Sequence, residues 1–414
     1  MIRLIPSLLV LFSAILPPAA SYAAPGETQV LILLKQSPSH LGEDKSAGFK
    51  RAEAAAKSFA KTFRGLRLAE PHWVNTSVSA RVDRARIREI EADPRVESVV
   101  LDPPGSVYFE EPTSIQVSEK SVPAPAPSAT VLPYNQRAIR MDEVHARFPL
   151  IDGKGVLIGA IDTGIDGAHP LLLGKVIRFF DGKAGKETPA KDGSGHGTHT
   201  AGIMVADGGI GIAPGARIIG ASGLDNMATL LNTLEWILKD GNRPRVINNS
   251  WSLIATMPRE AIYRAIETAD QLGVFMVFSA GNAGPNPKTI TIPHEHPLAF
   301  AIANFDQHDE IAGHSSRGPG IYLGKETQKP DLAAPGEDIV STLPYRRMGT
   351  MSGTSMAAPH VVAVAALMLQ IDPTLTPAQL RDLLLTTETS RVWDPAVGFG
   401  RLNAMALLKR VSKQ

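Results

Sequence analysis

The chain has 414 residues, a formal net charge of +1 and 0 Cys. A charge so close to zero supplies no basic field for nucleic acid or an anionic membrane surface. The missing thiols exclude cysteine nucleophiles, disulfides and Cys-ligated metals together. The length provides for one large domain and one small one.

The chain opens with Arg3, an apolar stretch from Leu4 to Leu16, and the small-x-small triplet Ser21-Tyr22-Ala23. That pattern predicts an export signal over residues 1–23, cut after Ala23. The expected product is secreted or periplasmic, with no membrane span in its mature form. Next, Gln29 to Leu34 reads as a strand. Phe49, Ala52, Ala56, Phe59 and Phe63 recur at helical spacing, and Val74, Thr76, Val78, Ala80 and Val82 alternate as in a half-buried strand. Ile87 and Ile90 mark a short helix and Val96 to Leu101 a last strand. The order βαββαβ predicts a small α+β ferredoxin-like domain over residues 24–108. Residues 109–130 read as a linker. Glu110-Glu111-Pro112 and the Pro-Ala run from Val122 to Ser128 cannot build a core and favour extended backbone.

From Leu132 onward, apolar runs alternate with amphipathic helices, which sets a third region at 131–414. Val156 to Ile161, Ala216 to Ile219, Val246 to Asn248, Phe275 to Ser279 and Phe300 to Ala303 read as strands buried on both faces. Leu230 to Leu238, Pro258 to Leu272 and Pro377 to Leu384 read as helices. This alternation predicts an α/β fold, a three-layer doubly wound and mostly parallel sheet. Ligands bind such sheets beyond the carboxyl ends of the strands.

Three strings place reactive side chains at such edges. Asp162 follows the apolar run Val156 to Ile161. His196 lies at a Gly-rich helix entry, Gly193-Ser194-Gly195-His196-Gly197-Thr198-His199. Ser355 lies in Gly353-Thr354-Ser355-Met356-Ala357-Ala358-Pro359-His360, just before the apolar run Val361 to Leu369. A hydroxyl at a helix start faces free N–H groups and the positive end of the helix dipole, which favours an acyl-transfer nucleophile. Asp166 is a rival carboxylate. His199, three residues past His196, suggests a metal pair, but no Glu follows as in His-Glu-x-x-His.

The strings around Asp162, His196 and Ser355, in that order, resemble the three active-site segments of the subtilisin family of serine proteases. Phe278-Ser279-Ala280-Gly281-Asn282-Ala283-Gly284 resembles the family segment whose Asn helps form the oxyanion hole. The resemblance runs from about Leu132 to Leu408 and selects Asp162 over Asp166. It implies a subtilisin-like fold and a serine endopeptidase with protein or peptide substrates, working through an acyl-enzyme. The implied triad is Asp162, His196 and Ser355, with Asn282 in the oxyanion hole. Ser250-Trp251-Ser252 and Ala280-Gly281 would wall the primary specificity pocket, and Gly223-Leu224-Asp225 would form the opposing strand. Ala283 and Thr291 near the floor carry no charge, which favours an apolar or aromatic side chain.

The region before the linker then resembles the family's propeptide, an intramolecular inhibitor and folding aid, expected to be cut off after Tyr108 with Tyr108 in the primary pocket. A monomer is expected. No cofactor is required. The family's strong calcium site is brought into doubt, because Leu171 stands where an Asp ligand is expected and Met204 to Gly211 is short. Two rival functions remain. A silent binding protein would have lost a triad member. An esterase of the α/β-hydrolase class would show Gly-x-Ser-x-Gly in the order Ser, acid, His.

Overall fold

The computed structural model describes residues 26–35, 45–109, 111–117, 132–239, 241, 243–257, 259–386 and 392–413. The expected export signal and most of the linker lie outside these residues.

The N-terminal region contributes β1 (Glu27–Leu34), α1 (Lys45–Thr62), β2 (Arg67–His72), β3 (Ser77–Asp83), α2 (Ile87–Glu91) and β4 (Val96–Leu101). Its four strands pair antiparallel in the order β2-β3-β1-β4. One sheet face packs Val30, Ile32, Leu34, Val78 and Ala80 against Ala56 and Phe59 of α1. From the other face, Leu31 and Leu33 join the core of the large domain. β1 is therefore buried without a break from Val30 to Leu34. The alternation from Val74 to Val82 does not form one strand. Residues 73–76 turn, and Thr76, at φ 56°, takes a left-handed conformation that separates β2 from β3.

Two short strands follow, β5 (Val107–Phe109) and β6 (Ser114–Val117). The large domain then opens with α3 (Tyr134–Ala138) and α4 (Met141–Arg147). Its main sheet collects β7 (Leu157–Asp162), β8 (Val176–Asp181), β9 (Lys186–Glu187), β10 (Arg217–Ser222), β11 (Val246–Asn249), β13 (Phe275–Ser279), β14 (Phe300–Phe305) and β17 (Leu332–Pro335). The spatial order is β17-β14-β13-β11-β7-β10-β8-β9, parallel except for the β8–β9 edge. Outside it lie β12 (Trp251–Leu253), the hairpin of β15 (Gly320–Tyr322) and β16 (Lys325–Thr327), and the hairpin of β18 (Ile339–Leu343) and β19 (Arg347–Ser352).

Helices cover both faces. On one lie α5 (His196–Val205), α8 (Thr354–Ile371), α9 (Pro377–Leu384) and α10 (Ala404–Val411); on the other lie α6 (Met227–Leu238) and α7 (Arg259–Gln271). Successive strand residues divide between the two cores: Phe275 and Val277 face α8, while Met276 and Phe278 face α6 and α7. Burial on both sides explains why these strands read as unbroken apolar runs. The sheet is wider than the sequence predicts, because β8 carries Arg178 in mid-strand and β17 ends on Pro335. Helix α8 is apolar and long enough to cross a membrane, and it is buried from Thr354 to Leu369 as the central core helix.

Candidate active site

Asp162 closes β7, the strand between β10 and β11, so its side chain emerges at the carboxyl edge of the sheet. His196 is the first residue of α5. Its N-cap is Gly195 at φ 104°, a conformation that favours glycine. His196 Nδ1 lies 2.7 Å from Asp162 Oδ1, and both side chains are buried. The Thr163 N–H donates to the same carboxylate oxygen at 2.7 Å, and Thr200 Oγ1 to the other at 3.4 Å. An ionised Asp162 accepts only, so Nδ1 carries the proton and Nε2 is left as the basic nitrogen. Burial works against charge on the imidazole. The Asp162 carboxylate and its hydrogen bond, aided by Asp192 and Glu111, outweigh it and hold the His196 pKa above its ordinary value.

Asp192 is a positioning residue that sequence reasoning missed. Its carboxylate accepts from the N–H groups of Ser194, Gly195 and Thr198 and from the hydroxyls of Thr163 and Thr198. It thereby ties the loop after Asp162 to the start of α5. The one cue was an acid just ahead of a Gly-rich helix entry.

Ser355 is the second residue of α8 and fully buried. Pro359 lies four residues on and has no N–H, so the Ser355 carbonyl lacks its usual helical partner. The Ser250 hydroxyl supplies one, donating to Ser355 O at 3.1 Å. Asn282 follows the end of β13. Its Oδ1 accepts from Thr354 N at 3.0 Å and Thr354 Oγ1 at 2.9 Å. An N–H can be met only by the carboxamide oxygen, which fixes the orientation and turns Nδ2 the other way. A Cβ on Gly353 would come 3.2 Å from that Nδ2. Among the described residues, Ser355 Oγ, His196 Nε2 and Asn282 Nδ2 are buried without a hydrogen-bond partner.

The segment before the large domain crosses this site. β5 pairs antiparallel with β12, with Trp251 opposite Phe109, Ser252 opposite Tyr108 and Leu253 opposite Val107. On its other side, the Val107 N–H donates to Asp225 O at 3.2 Å. The Phe109 ring lies on the His196 imidazole, with centroids 4.9 Å apart. Beyond, Thr113 N donates to Ser352 O, and β6 pairs antiparallel with β19. Tyr108, expected in the primary pocket, instead lies opposite Ser252 and is 37% exposed. Trp251 joins the cleft through its backbone alone. Its ring is buried edge-on against Phe278, at 5.4 Å between centroids.

Of the other expected wall residues, Leu224 and Asp225 line a cavity of about 400 Å³ with Phe109 and Asp162. At Gly223 a Cβ would meet the Thr233 side chain within 3.0 Å. Thr291 bridges the two expected walls, its N–H donating to Ala280 O and its Oγ1 accepting from Ser252 Oγ, while the Gly281 N–H donates to Thr354 Oγ1. Ala283 N donates to Ser316 Oγ.

His199 faces away from this chemistry. Its Nε2 lies between the carbonyls of Ile339 and Gly349, and burial lowers its pKa to about 3. Among the described residues no cluster of His, Asp and Glu is arranged to hold a metal. Leu171 packs in the apolar core. In the short loop after α5, the carbonyls of Gly209 and Ile210 accept from Gln136 Nε2. A cation at these two oxygens would have to displace that amide N–H. The residues present do not fit the ion.

A carboxylate, an imidazole and a helix-start hydroxyl, with a free amide donor nearby, define a serine hydrolase of α/β fold. The sequence pattern of the subtilase family matches residues 153–400. The alkaline protease of Alkalihalobacillus alcalophilus is 30% identical over 349 residues, 82% of this chain and 83% of that one. Subtilisin E of Bacillus subtilis strain 168 is 30% identical over 375 residues, 87% of this chain and 88% of that one. The crystal structure of fervidolysin from Fervidobacterium pennivorans, a keratinolytic enzyme related to subtilisin, shares the fold at a TM-score of 0.69 and 24% identity. The match covers 92% of this chain and 61% of that one. The chain belongs to the subtilase family and is a subtilisin-like serine protease.

Proposed function

We propose that the protein is an exported serine endopeptidase made as a self-processing precursor. In this reading, residues 1–23 direct export, 24–108 form a ferredoxin-like inhibitory propeptide, 109–130 are a linker and 131–414 carry catalysis. The observation that carries the catalytic assignment is the trio of buried, unpartnered atoms, Ser355 Oγ, His196 Nε2 and Asn282 Nδ2. Buried polar atoms normally find partners, so three left open at one sheet edge point to a reacting group that completes them.

The mechanism follows from those atoms. Ser355 Oγ attacks the substrate carbonyl carbon while His196 Nε2 takes its proton. Asp162 keeps the proton of His196 on Nδ1 and stabilises the imidazolium. The carbonyl oxygen, now an oxyanion, accepts from Asn282 Nδ2 and the Ser355 N–H. His196 then protonates the leaving amine, and water repeats the sequence on the acyl-enzyme.

The propeptide reading is supported by the strand that the N-terminal region adds to the cleft and by the Phe109 ring over His196. Further support comes from how that region grips the large domain. Asp102 accepts from the N–H groups of Met227 and Ala228 at the start of α6, at 2.7 and 2.9 Å. Arg264 of α7 pairs with Glu97 at 2.6 Å, and Glu235 of α6 accepts from Val74 N. A fluorophosphonate probe tests the proposal. It should label the mature enzyme and fail to label Ser355→Ala, which should also remain an uncut precursor. Labelling of Ser355→Ala, or normal processing in it, would overturn the assignment.

A further inference from the structure

We infer that the outer edge of β19 is a binding site for the leaving side of a polypeptide substrate. It takes about five residues beyond the nucleophile as an added strand, and it reads their backbone rather than their side chains. The substrate class is thus a long, extended polypeptide. The inference deepens the endopeptidase reading and rests on it.

β6 shows how a chain sits there. The segment that crosses the site reaches the nucleophile after β5 and before β6, so β5 marks the acyl side and β6 the leaving side. β5 pairs with β12 and β6 with β19. Thr113 N donates to Ser352 O at 2.9 Å. The ladder runs on with Ser114 opposite Ser352, Ile115 opposite Met351, Gln116 opposite Thr350 and Val117 opposite Gly349. Ser352 stands three residues before Ser355, so the ladder begins at the nucleophile and leads away from it. Side chains add little along most of its length. Ile115 is 50% and Val117 47% exposed, and Gln116 is exposed as well. Side-chain hydrogen bonds gather at the start, where Ser114 Oγ donates to Ser352 Oγ at 2.9 Å and Thr113 Oγ1 to Ser352 O at 3.3 Å. Backbone pairing of this kind is open to any extended segment that supplies the N–H groups, which proline does not. In the precursor β6 stands in for substrate, and it can leave without breaking an apolar core.

The edge is held in place by the large domain, not by β6. β18 takes the inner edge of β19, from Leu343 opposite Arg347 to Ile339 opposite Met351. Ile339, Leu343 and Met351 are buried in the large core. His199 Nε2 lies 3.0 Å from Ile339 O and 3.2 Å from Gly349 O, one carbonyl on each strand. The hydroxyls of Ser341 and Thr342 donate to the carbonyls of His199 and Thr198. The hairpin is thereby fastened to α5, the helix that opens with His196. An edge ordered in advance loses little freedom when a strand is added. Gly349 keeps that edge clear, since a Cβ there would lie 2.8 Å from Gln116 O. At the other end, the Asp338 N–H donates to Ser352 Oγ at 2.9 Å and holds that hydroxyl toward Ser114.

The test measures kcat/KM of the mature enzyme on internally quenched peptides. All share one acyl side, taken from a peptide that the enzyme cuts, and they differ in the number of residues after the scissile bond. The value should rise about tenfold as the leaving side grows from roughly two residues to six, the net gain of a few main-chain hydrogen bonds. In the longest peptide, N-methylation of the outer leaving-side residues should remove that gain, whereas alanine in the same places should change it by less than about threefold. Gly349→Ala should bring the ratio of long to short substrate near one. Should that variant fail to fold, the N-methyl and alanine series on the wild type still decide. A flat response to length would overturn the site, and so would alanine replacements as costly as N-methylation. Either result, from an enzyme that cuts the peptides and reacts with a fluorophosphonate at Ser355, leaves the protease reading intact. An enzyme that neither reacts nor cuts would bring down both.

Discussion

Pro359 and Ser355 are coupled through a hydrogen bond that the helix cannot make. The proline has no N–H to offer the Ser355 carbonyl, and Ser250 Oγ takes that place at 3.1 Å. The nucleophile's backbone is thus held by a wall of the substrate cleft as well as by its own helix. Ser250→Ala should leave this buried carbonyl without a partner. The expected loss is about 1–3 kcal/mol of stability, read as a lower melting temperature, with a smaller proportional fall in kcat. Unchanged stability would show that another donor meets the carbonyl.

In the proposed mechanism His196 and Ser355 act on one proton. His196→Ala and Ser355→Ala should each abolish hydrolysis, and the double variant should be barely slower than either single one. Rates for all three at saturating peptide check this. A double variant showing the product of two independent losses would rule out a shared proton transfer.

Asn282 holds its oxygen on Thr354, and in the proposed mechanism its Nδ2 serves the oxyanion. Asn282→Leu should reduce kcat by about 10²–10³, the loss known for the corresponding donor in subtilisin, with KM little changed. A change in KM alone would mean that Asn282 binds the ground state equally well.

The proposed mechanism needs His196 neutral at Nε2, and Asp162 holds its pKa above the ordinary value. Activity is therefore lost as pH falls through that raised pKa. The acid limb of kcat/KM should have its midpoint above about 6.5. Asp162→Asn should move the limb downward and cut kcat by about 10⁴, since the Nδ1 proton loses its acceptor. An acid limb unmoved by Asp162→Asn would separate this carboxylate from the base.

Leu171 packs in the core, and Gln136 Nε2 occupies the carbonyls of Gly209 and Ile210. EDTA should leave the melting temperature nearly unchanged. A large fall reversed by calcium would reveal a site elsewhere. Gln136→Ala should loosen the loop, because two part-buried carbonyls lose a donor.

The proposed reactive residues each sit on a local signal, though the family resemblance, and not that signal, separated Asp162 from Asp166. Asp162 ends an apolar strand, His196 opens a Gly-rich helix entry, and Ser355 precedes an all-apolar helix. Periodicity carried the inner strands β7, β11, β13 and β14, since burial on both faces imposes unbroken apolar runs. The same reasoning misjudged Val74 to Val82, where a left-handed Thr76 splits the alternation, and passed over β8 and β17. Other features arise from contacts between segments far apart in the chain. Asp192 reads as a loop acid until its carboxylate collects five donors from two segments. Thr291 is placed near the pocket floor by the resemblance, but its hydrogen bonds to Ser252 and His294 appear only in the structure. The resemblance to the family's propeptide puts Tyr108 in the primary pocket, whereas the structure sets it opposite Ser252. Only the pairing of β5 on β12 sets the register, and register depends on which backbone groups meet across the cleft, which no local signal in the chain encodes.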